Sequence, residues 1–445
     1  MISFWLRSAF AWADAAFAAT LENGDAALAA IGLTMPFEFM LIACWVGSSN
    51  GLTARLSAAM GAREGERIEQ LKRATRRLIR VLILVFLLLS AGIWLFAERV
   101  GLEPEIGEAF RVYGTVLMAG SAFTSFWSIL PDSLVKAHHD TRSTMWAGLL
   151  SSVVNVALNA VFVFVFHWGI FGIALSTVIG RLAGYFYAVG RAEYHERLRR
   201  ESGRDDRPGL FERPVRAILG IAVPAGISFL LMSLELLAIN AILARSENST
   251  AALAAFSIFD RSVRFMAMPV IACGVAMLPL TGKLWGAGDT AGIRLELRTV
   301  YLATAGYLVA VLIPLALLLG PWVAEALSDS EATRQGALTG MLWVPLAVVA
   351  MAPMLVQRSA FEGMQRPRPG LVVSLLRSFA LVIPLALLGL LLAPRLGYSS
   401  LAGVYAGSTL GNLLASVLMS SFITRALREP AGAEPAPRGA QRTSV

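Results

Sequence analysis

Apolar runs, each about as long as a membrane-spanning helix, follow one another along most of this chain. Roughly 20 apolar residues in a helix cross a bilayer core about 30 Å thick. The chain is 56% hydrophobic and 15% charged, whereas globular proteins average about 25% charged residues. We therefore predict an all-α polytopic membrane protein with about twelve transmembrane helices, at 3–21, 28–58, 79–97, 110–134, 146–166, 170–190, 217–244, 252–284, 298–320, 338–360, 371–393 and 400–422.

The two halves of the chain are related by an internal repeat. Residues 26–30 (Ala-Ala-Leu-Ala-Ala) recur at 251–255, an offset of 225 residues, and Gly61-Ala62 recurs as Gly286-Ala287 at the same offset. Residues 172–182 and 403–413 are a second similar pair. Six helices per half is an even number, so the repeat predicts two six-helix lobes in parallel topology, as in transporters built from repeats.

The repeat and the charges predict the domain boundaries. We expect an N-terminal lobe at 1–192, a cytoplasmic connector at 193–215, a C-terminal lobe at 216–427 and a disordered tail at 428–445. Aligned by the repeat, residues 216–225 have no counterpart in the first half, so we expect a first helix short by two or three turns.

Charge distribution predicts the orientation. Arginines and lysines concentrate at 63–80, 191–216 and 366–368 and in the tail, whereas the opposite loops carry acids such as Glu22, Glu103 and Glu325. Basic short loops stay in the cytoplasm, so we expect a multi-pass protein of the inner cell membrane with both termini cytoplasmic.

Several function classes are excluded by composition. Cys44 and Cys273, the two cysteines, both lie in apolar runs, which argues against disulfides and cysteine-based zinc sites. The four histidines lack ligand spacing, and we interpret the turn at 138–143 as structural, so no metal site is expected. Basic residues lie in alternate loops, so the net charge of +8 does not indicate nucleic acid. Without a nucleotide-binding or nucleophile motif, we expect no enzyme and no cofactor beyond a coupling ion.

One group of polar residues in the first half is a candidate cation site. Asp14 is an ionisable residue inside a span, which makes it a functional candidate. Asn155 and Asn159 share one face of the fifth helix, and Thr177 lies in the sixth. Carboxylate, amide and hydroxyl oxygens suit sodium or a hydrogen-bonded proton site. The alternative is that these groups only join helices through hydrogen bonds.

The second half has its own charged candidates. Glu235 lies deep in the seventh helix, and Asp260, Arg261 and Arg264 lie in the eighth, where Asp260 can pair with Arg264. They form either a second coupling or substrate site, with Glu235 as its carboxylate, or a self-neutralised cluster that joins two helices. Residues 381–387 lack a polar pair equivalent to Asn155 and Asn159, which favours a single cation site in the first half.

These residues give the chain a resemblance to the multidrug and toxic compound extrusion family, within the multidrug/oligosaccharidyl-lipid/polysaccharide flippase superfamily. The matching segments are 13–15, 26–32, 56–63, 138–143, 155–159, 172–180 and 251–289. The resemblance implies two lobes in a V and cation-coupled export of amphipathic, often cationic compounds. It also places Asp14, Asn155, Asn159 and Thr177 at the N-lobe cation site of the family.

The chain departs from the family at three positions. Position 159 is Asn where many prokaryotic members have Asp, and Met232 occupies the usual acidic position of the seventh helix, one turn before Glu235. The tenth helix has no acid near Met351, where some members have Asp. Proton and sodium coupling therefore both stay open.

The sequence thus predicts a secondary antiporter, driven by H⁺ or Na⁺, that exports amphipathic, cationic compounds by alternating access. The alternatives are a lipid-linked saccharide or lipid flippase of the same superfamily and a non-transporting membrane scaffold. We expect the partners to be a small amphipathic substrate and membrane lipids, and we expect a monomer.

Overall fold

The computed structural model describes residues 13–97, 103–203, 207–245, 248–328 and 330–428. These residues form two bundles of six helices. The first bundle contains α1 (Ala13–Ala18), α2 (Gly24–Ala62), α3 (Gly65–Phe96), α4 (Pro104–Ala137), α5 (Thr141–Val165) and α6 (Gly169–Glu201). The second contains α7 (Pro214–Leu243), α8 (Ser249–Gly286), α9 (Thr290–Ala326), α10 (Glu331–Gly363), α11 (Arg368–Leu396) and α12 (Ser400–Ala426).

Ten of the helices in the described part of the chain are long and apolar enough to cross a membrane. The other two are α1, of which six residues are described, and α4, which is rich in Ser, Thr and Gly. Large apolar side chains such as Leu88, Leu318 and Trp322 are exposed on the outer surface. Exposed leucines of this kind are stable in contact with lipid, so the chain is a multi-pass membrane protein.

Local sequence sets where several helices begin. Pro104 and Pro214 occupy first turns, where the missing backbone N–H leaves no donor unpaired. Asp140 accepts a hydrogen bond from Ser143 N at the start of α5, and Asp289 accepts one from Gly292 N at the start of α9. Within α5, α9 and α11 the hydrogen bonding becomes π-helical over Val161–Val165, Leu308–Leu312 and Leu376–Val382.

Two predicted boundaries differ from the structure. The helix α6 continues to Glu201, so residues 193–201 of the predicted connector are helical. Likewise α3 starts at Gly65, so the basic residues from Arg67 to Arg80 lie on a helix rather than in a loop. Both helices extend beyond the predicted spans because their charged ends favour helix as much as their apolar parts do. The predicted start of the first helix lies in residues 1–12, outside the described part.

The bundles contact each other through α2, α7 and α8. Gly47 and Gly51 of α2 pack against the backbone of Ala222 and Ile218 on α7. Further along α2, a Cβ atom added to Gly61 would collide with the carbonyl oxygen of Lys283 on α8, and one added to Gly286 would collide with that of Ala58. We call the end of the protein where α2 and α8 cross the basic end, because the turns after α2 and α4 and the connector lie there.

The crossing of α2 and α8 follows the internal repeat. At the offset of 225 residues, Gly61 corresponds to Gly286 and Ala58 corresponds to Lys283. Each repeat therefore makes the same glycine contact with the other, as across a two-fold axis. The duplicated glycines Gly61 and Gly286, at the ends of α2 and α8, thus lie at one of the contacts between the two bundles.

Candidate functional site

The structure brings the four predicted residues of the first bundle together. Asn159 Nδ2 donates to Asp14 Oδ1 at 2.7 Å, and Asn155 Nδ2 donates to the same oxygen at 3.2 Å. Thr177 Oγ1 donates to Asp14 Oδ2 at 2.8 Å. Three helices, α1, α5 and α6, therefore meet at one carboxylate.

Helical geometry explains this arrangement. Asn155 and Asn159 are four residues apart, so both face α1 from the same side of α5. Close packing of α5 and α6 places Thr177 beside them, because Gly180 leaves room against the backbone of Ser151 and Asn155.

Ser176 belongs to the same group, although the sequence analysis did not select it. Its hydroxyl donates to Asn159 Oδ1 and accepts a hydrogen bond from Asn155 Nδ2 at 3.3 Å. Ser176 and Asn159 are both fully buried. Ser176 therefore fixes the orientation of both amides. The sequence feature that could have identified Ser176 is its position next to Thr177 in the sixth helix.

The chemistry of the group is that of a carboxylate held by neutral donors. Asp14 is half-buried, and all three side chains that bond it are uncharged. These hydrogen bonds give both carboxylate oxygens of Asp14 a partner. Rotation of the two amides would turn their oxygens toward the carboxylate, and the group would then offer the hard oxygen ligands that a sodium ion prefers.

In the second bundle Glu235 pairs with a residue that the sequence analysis did not select. Glu235 Oε2 lies 2.8 Å from Arg377 Nη2 and accepts a hydrogen bond from Ser378 Oγ at 2.6 Å. Arg377 Nη1 also donates to Asn412 Oδ1 at 2.8 Å. Arg377 and Ser378 lie in the π-helical segment of α11, a type of segment frequent at functional sites. The sequence feature that could have identified Arg377 is that it is an arginine inside an apolar run.

The other predicted charges of this bundle lie on α8. Arg264 Nε donates to Asp260 Oδ2 at 2.7 Å, and both residues line a cavity that Glu235 also lines. Arg261 is exposed on the same helix. The predicted Asp260–Arg264 pair is therefore present, whereas Glu235 is neutralised from α11 rather than from α8.

Two further charged residues inside spans, Glu38 of α2 and Arg181 of α6, pair with each other. Arg181 Nη2 lies 3.2 Å from Glu38 Oε1, and Arg181 Nη1 donates to Ser121 Oγ. Arg181 also lines a cavity of about 300 Å³ between α2, α4, α5 and α6. None of the members of the Asp14 group lines this cavity, although Ser151 and Arg181 on its wall lie one helical turn from Asn155 and Thr177.

The turn at 138–143, which lies at the basic end, is stabilised by ion pairs. Asp140 accepts hydrogen bonds from Ser143, Arg191 and His195. Burial opposes ionisation of Asp140, but these hydrogen bonds outweigh it and hold the pKa of Asp140 below its usual range. Nearby, His138 contacts Glu196 at 3.0 Å. In the part of the chain that the structure describes, no group of three or more potential metal ligands occurs.

Comparisons with known proteins identify the family. The family model named MatE matches residues 1–161 and 224–388 of the chain. A probable multidrug resistance protein of Bacillus subtilis, YoeA, is 24% identical over 292 residues, which are 62% of this chain and 60% of that relative. An FAD transporter of Shewanella oneidensis is 24% identical over 401 residues, covering 85% of this chain and 83% of the transporter.

A solved structure agrees with the fold. The bent form of the Vibrio cholerae MATE transporter VcmN matches with a TM-score of 0.81 and 23% identity, over 96% of this chain and 94% of that one. At this identity the likeness concerns the fold, whereas the family model covers well over half of the sequence. With the Asp14 group and the duplicated bundles in place, the chain belongs to the MatE family of membrane transporters.

Proposed function

We propose that this protein is a secondary antiporter that uses a proton or sodium gradient to export amphipathic, cationic compounds by alternating access. The observation that supports it is the Asp14 carboxylate, half-buried in the first bundle and bonded by Asn155, Asn159 and Thr177. In this proposal the chain lies in the inner membrane as a monomer, with both termini in the cytoplasm.

The chemical step is the exchange of hydrogen-bond donors for a cation at Asp14. When a proton or sodium ion binds the carboxylate, its negative charge is neutralised and its bonds to the three neutral donors weaken or are replaced. The helix α1 is then less strongly bound to α5 and α6. A ligand shifts a conformational equilibrium only through different affinities for the two states, and this change in α1 supplies such a difference.

The family match and the two relatives support an exporter over the lipid-linked saccharide flippase and over the non-transporting scaffold. YoeA is named a probable multidrug resistance protein, and the Shewanella protein is named an FAD transporter. One name refers to drug resistance and the other to transport of FAD, and neither refers to a saccharide or a lipid. The 300 Å³ cavity beside Arg181 supports a binding site for part of such a molecule.

The experiment that tests the proposal is transport of a fluorescent cationic dye into proteoliposomes under an imposed proton gradient or an imposed sodium gradient. We expect one of the two gradients to drive accumulation in the wild type and the Asp14→Asn variant to lose that dependence. Asp25→Asn is the matched control, because Asp25 is exposed in the first turn of α2. Unchanged gradient-driven transport in Asp14→Asn would refute the coupling role.

A further inference from the structure

A groove of about 650 Å³ lies between α3, α4 and α6 of the first bundle, near the basic end. The helix α4 packs against both other helices, and the Lys72–Glu196 ion pair joins α3 to α6 at the groove. Trp127 on α4 is 42% exposed, so the groove is open to the surroundings of the protein. The groove is separate from the Asp14 group, none of whose members lines it.

The lining changes from mainly charged to apolar along the groove. The charged side chains lie toward the basic end, where α3 begins and α6 ends, and they are Lys72, Arg76, Arg80, Glu193, Glu196 and Arg200. The side chains further from that end are apolar or aromatic, and they include Ile83, Trp127, Leu130, Tyr185 and Val189. At 1.5 Å per residue, Lys72 and Ile83 are about 16 Å apart along α3. A molecule that fills this groove therefore needs a charged group at one end and an apolar part at the other.

Two arginines of the lining, Arg76 and Arg80, have no acidic partner within the part of the chain that the structure describes. Arg76 Nε donates to the carbonyl oxygen of Lys72 at 3.4 Å, and Arg80 Nε donates to that of Arg76 at 3.3 Å. The terminal nitrogens of both arginines stay available, and both residues are exposed. Lys72, by contrast, is buried and pairs with Glu69 and Glu196. The two arginines are thus the groups through which the groove can bind an anion.

The charges of the lining leave the groove positive. Four basic and two acidic side chains line it, so the charges sum to +2. Glu69 and Arg199, which adjoin the lining, lie 3.3 Å apart and cancel each other. Guanidinium groups bind phosphate oxygens through two N–H donors at once, more specifically than an ammonium group does. The charged end of the groove is therefore suited to a phosphate group.

The position of Arg80 on α3 shows how deep this phosphate lies. Residues 81–96 carry no charge and extend about 24 Å as a helix, which is most of a hydrocarbon core about 30 Å thick. Arg80 therefore lies at the boundary between the hydrocarbon core and the headgroups. The rings of Trp127 and Tyr185, 6.0 Å apart between centroids, line the groove on its apolar side. Tryptophan and tyrosine are enriched at this boundary.

We propose that the groove is a binding site for an anionic phospholipid of the leaflet at the basic end. Its phosphate is bound by Arg76 and Arg80, and its apolar part lies along Ile83 and Trp127. Basic pockets between transmembrane helices bind anionic headgroups in this manner. A free phosphate ion would occupy only the charged end, so the apolar half of the groove favours the lipid. The proposal needs only the membrane location of the chain and does not depend on the export function.

Quenching of tryptophan fluorescence by lipids with brominated acyl chains tests the proposal, because Trp127 lines the groove. The full chain in detergent is titrated with brominated phosphatidylglycerol, which is anionic, or with brominated phosphatidylcholine, which is zwitterionic. We expect phosphatidylglycerol to give half-maximal quenching at a concentration about tenfold lower, and we expect Arg76→Gln/Arg80→Gln to remove this preference. Trp127→Phe should abolish the part of the quenching that is specific to phosphatidylglycerol, because it removes the reporter.

The matched control is Arg73→Gln/Arg77→Gln. It removes two positive charges at the same spacing from the same part of α3, and both arginines are exposed but lie outside the groove lining. All four substituted arginines are on the surface and glutamine is a good helix former, so both double variants should fold. The control should keep the preference. Equal losses in the two double variants would assign the preference to general surface charge and overturn the site, as would quenching by phosphatidylglycerol that is unchanged in Trp127→Phe.

Discussion

Asn50 of the first bundle donates a hydrogen bond to Glu362 of the second, with 2.8 Å between Nδ2 and Oε2. Glu362 is 2% exposed, and its other oxygen lies 3.6 Å from Arg358 Nε. A buried carboxylate is stable only when it is bonded or paired. The Asn50 contact therefore favours the conformation in which the two bundles are closed at the basic end.

Asn50→Leu is expected to shift the protein toward a conformation in which the basic ends separate. The substitution leaves Glu362 without its amide donor, which costs about 1–3 kcal/mol in the closed conformation. Hydrogen–deuterium exchange of residues 48–60 in α2 and 277–286 in α8 should increase, while exchange elsewhere in α2 stays unchanged. Unaltered exchange across both segments would show that the contact has no part in closure.

Gly286→Ala should separate the same ends by a steric route. Its new Cβ atom would collide with the carbonyl oxygen of Ala58, so α2 and α8 must move apart. Gly220→Ala on α7 is the control, because no atom lies within 4 Å of the added Cβ, and an alanine there stabilises the helix by up to about 1 kcal/mol. In detergent, the unfolding temperature of Gly220→Ala should equal or exceed that of the wild type, and the unfolding temperature of Gly286→Ala should be lower. The reverse order would contradict the crossing.

Asn155→Leu should weaken ion dependence more than dye binding. The leucine removes three hydrogen bonds, to Asp14, Thr177 and Ser176, while it keeps a side chain of similar size against Gly180. Dye affinity and the gradient dependence of transport are measured on the same preparation, so each serves as the control for the other. A larger loss of dye affinity than of ion dependence would place Asn155 in the drug site instead.

His139 gives the protein a pH dependence between about pH 6.5 and 4. Burial, together with the nearby positive charge of Lys283, lowers the pKa of His139 from 6.5 to about 4. Within that window the unfolded chain binds a proton that the folded protein does not, so stability falls as the pH is lowered and rises as it is raised.

Across this pH range His139 should change the free energy of unfolding by about 1–3 kcal/mol. Partial solvent exposure of the side chain makes the change smaller than the pKa shift alone would give. His139→Asn should remove this dependence, since asparagine tolerates the positive φ of 64° at this position. The pH dependence is measured from the unfolding temperatures of the wild type and the variant between pH 4 and 7. A variant with the same slope as the wild type would assign the pH dependence to other groups.

Four members of the Asp14 group could be selected from the sequence as polar residues in apolar runs, whereas the fifth, Ser176, was missed. Asn155 and Asn159 are four apart on one helix, and both Asp14 and Thr177 stand out as polar residues in apolar runs. The role of the group in cation binding stays a prediction. The number of helices was predictable in large part, since length and hydropathy identify ten of the twelve helices of the described residues.

The sequence could not show the partner of Glu235. Its pairing with Arg377 depends on how α7 and α11 pack, and these helices lie far apart in the chain. The charges nearest to Glu235 in the sequence lie on the next helix, where Asp260 and Arg264 pair with each other at i and i+4. The ends of α3 and α6 were missed because a hydropathy criterion detects where lipid contact ends, whereas the helix continues into water.

The pairing of the intramembrane charges has a consequence for the membrane voltage. Glu38 with Arg181, Glu235 with Arg377 and Asp260 with Arg264 each sum to zero, so their movement across the electric field transfers no net charge. Asp14 is bonded by uncharged side chains, so under the proposed coupling the ion that it binds would decide how much charge moves in each cycle. One elementary charge crossing 100 mV is worth about 2.3 kcal/mol, and in this protein that work would be done at the first bundle.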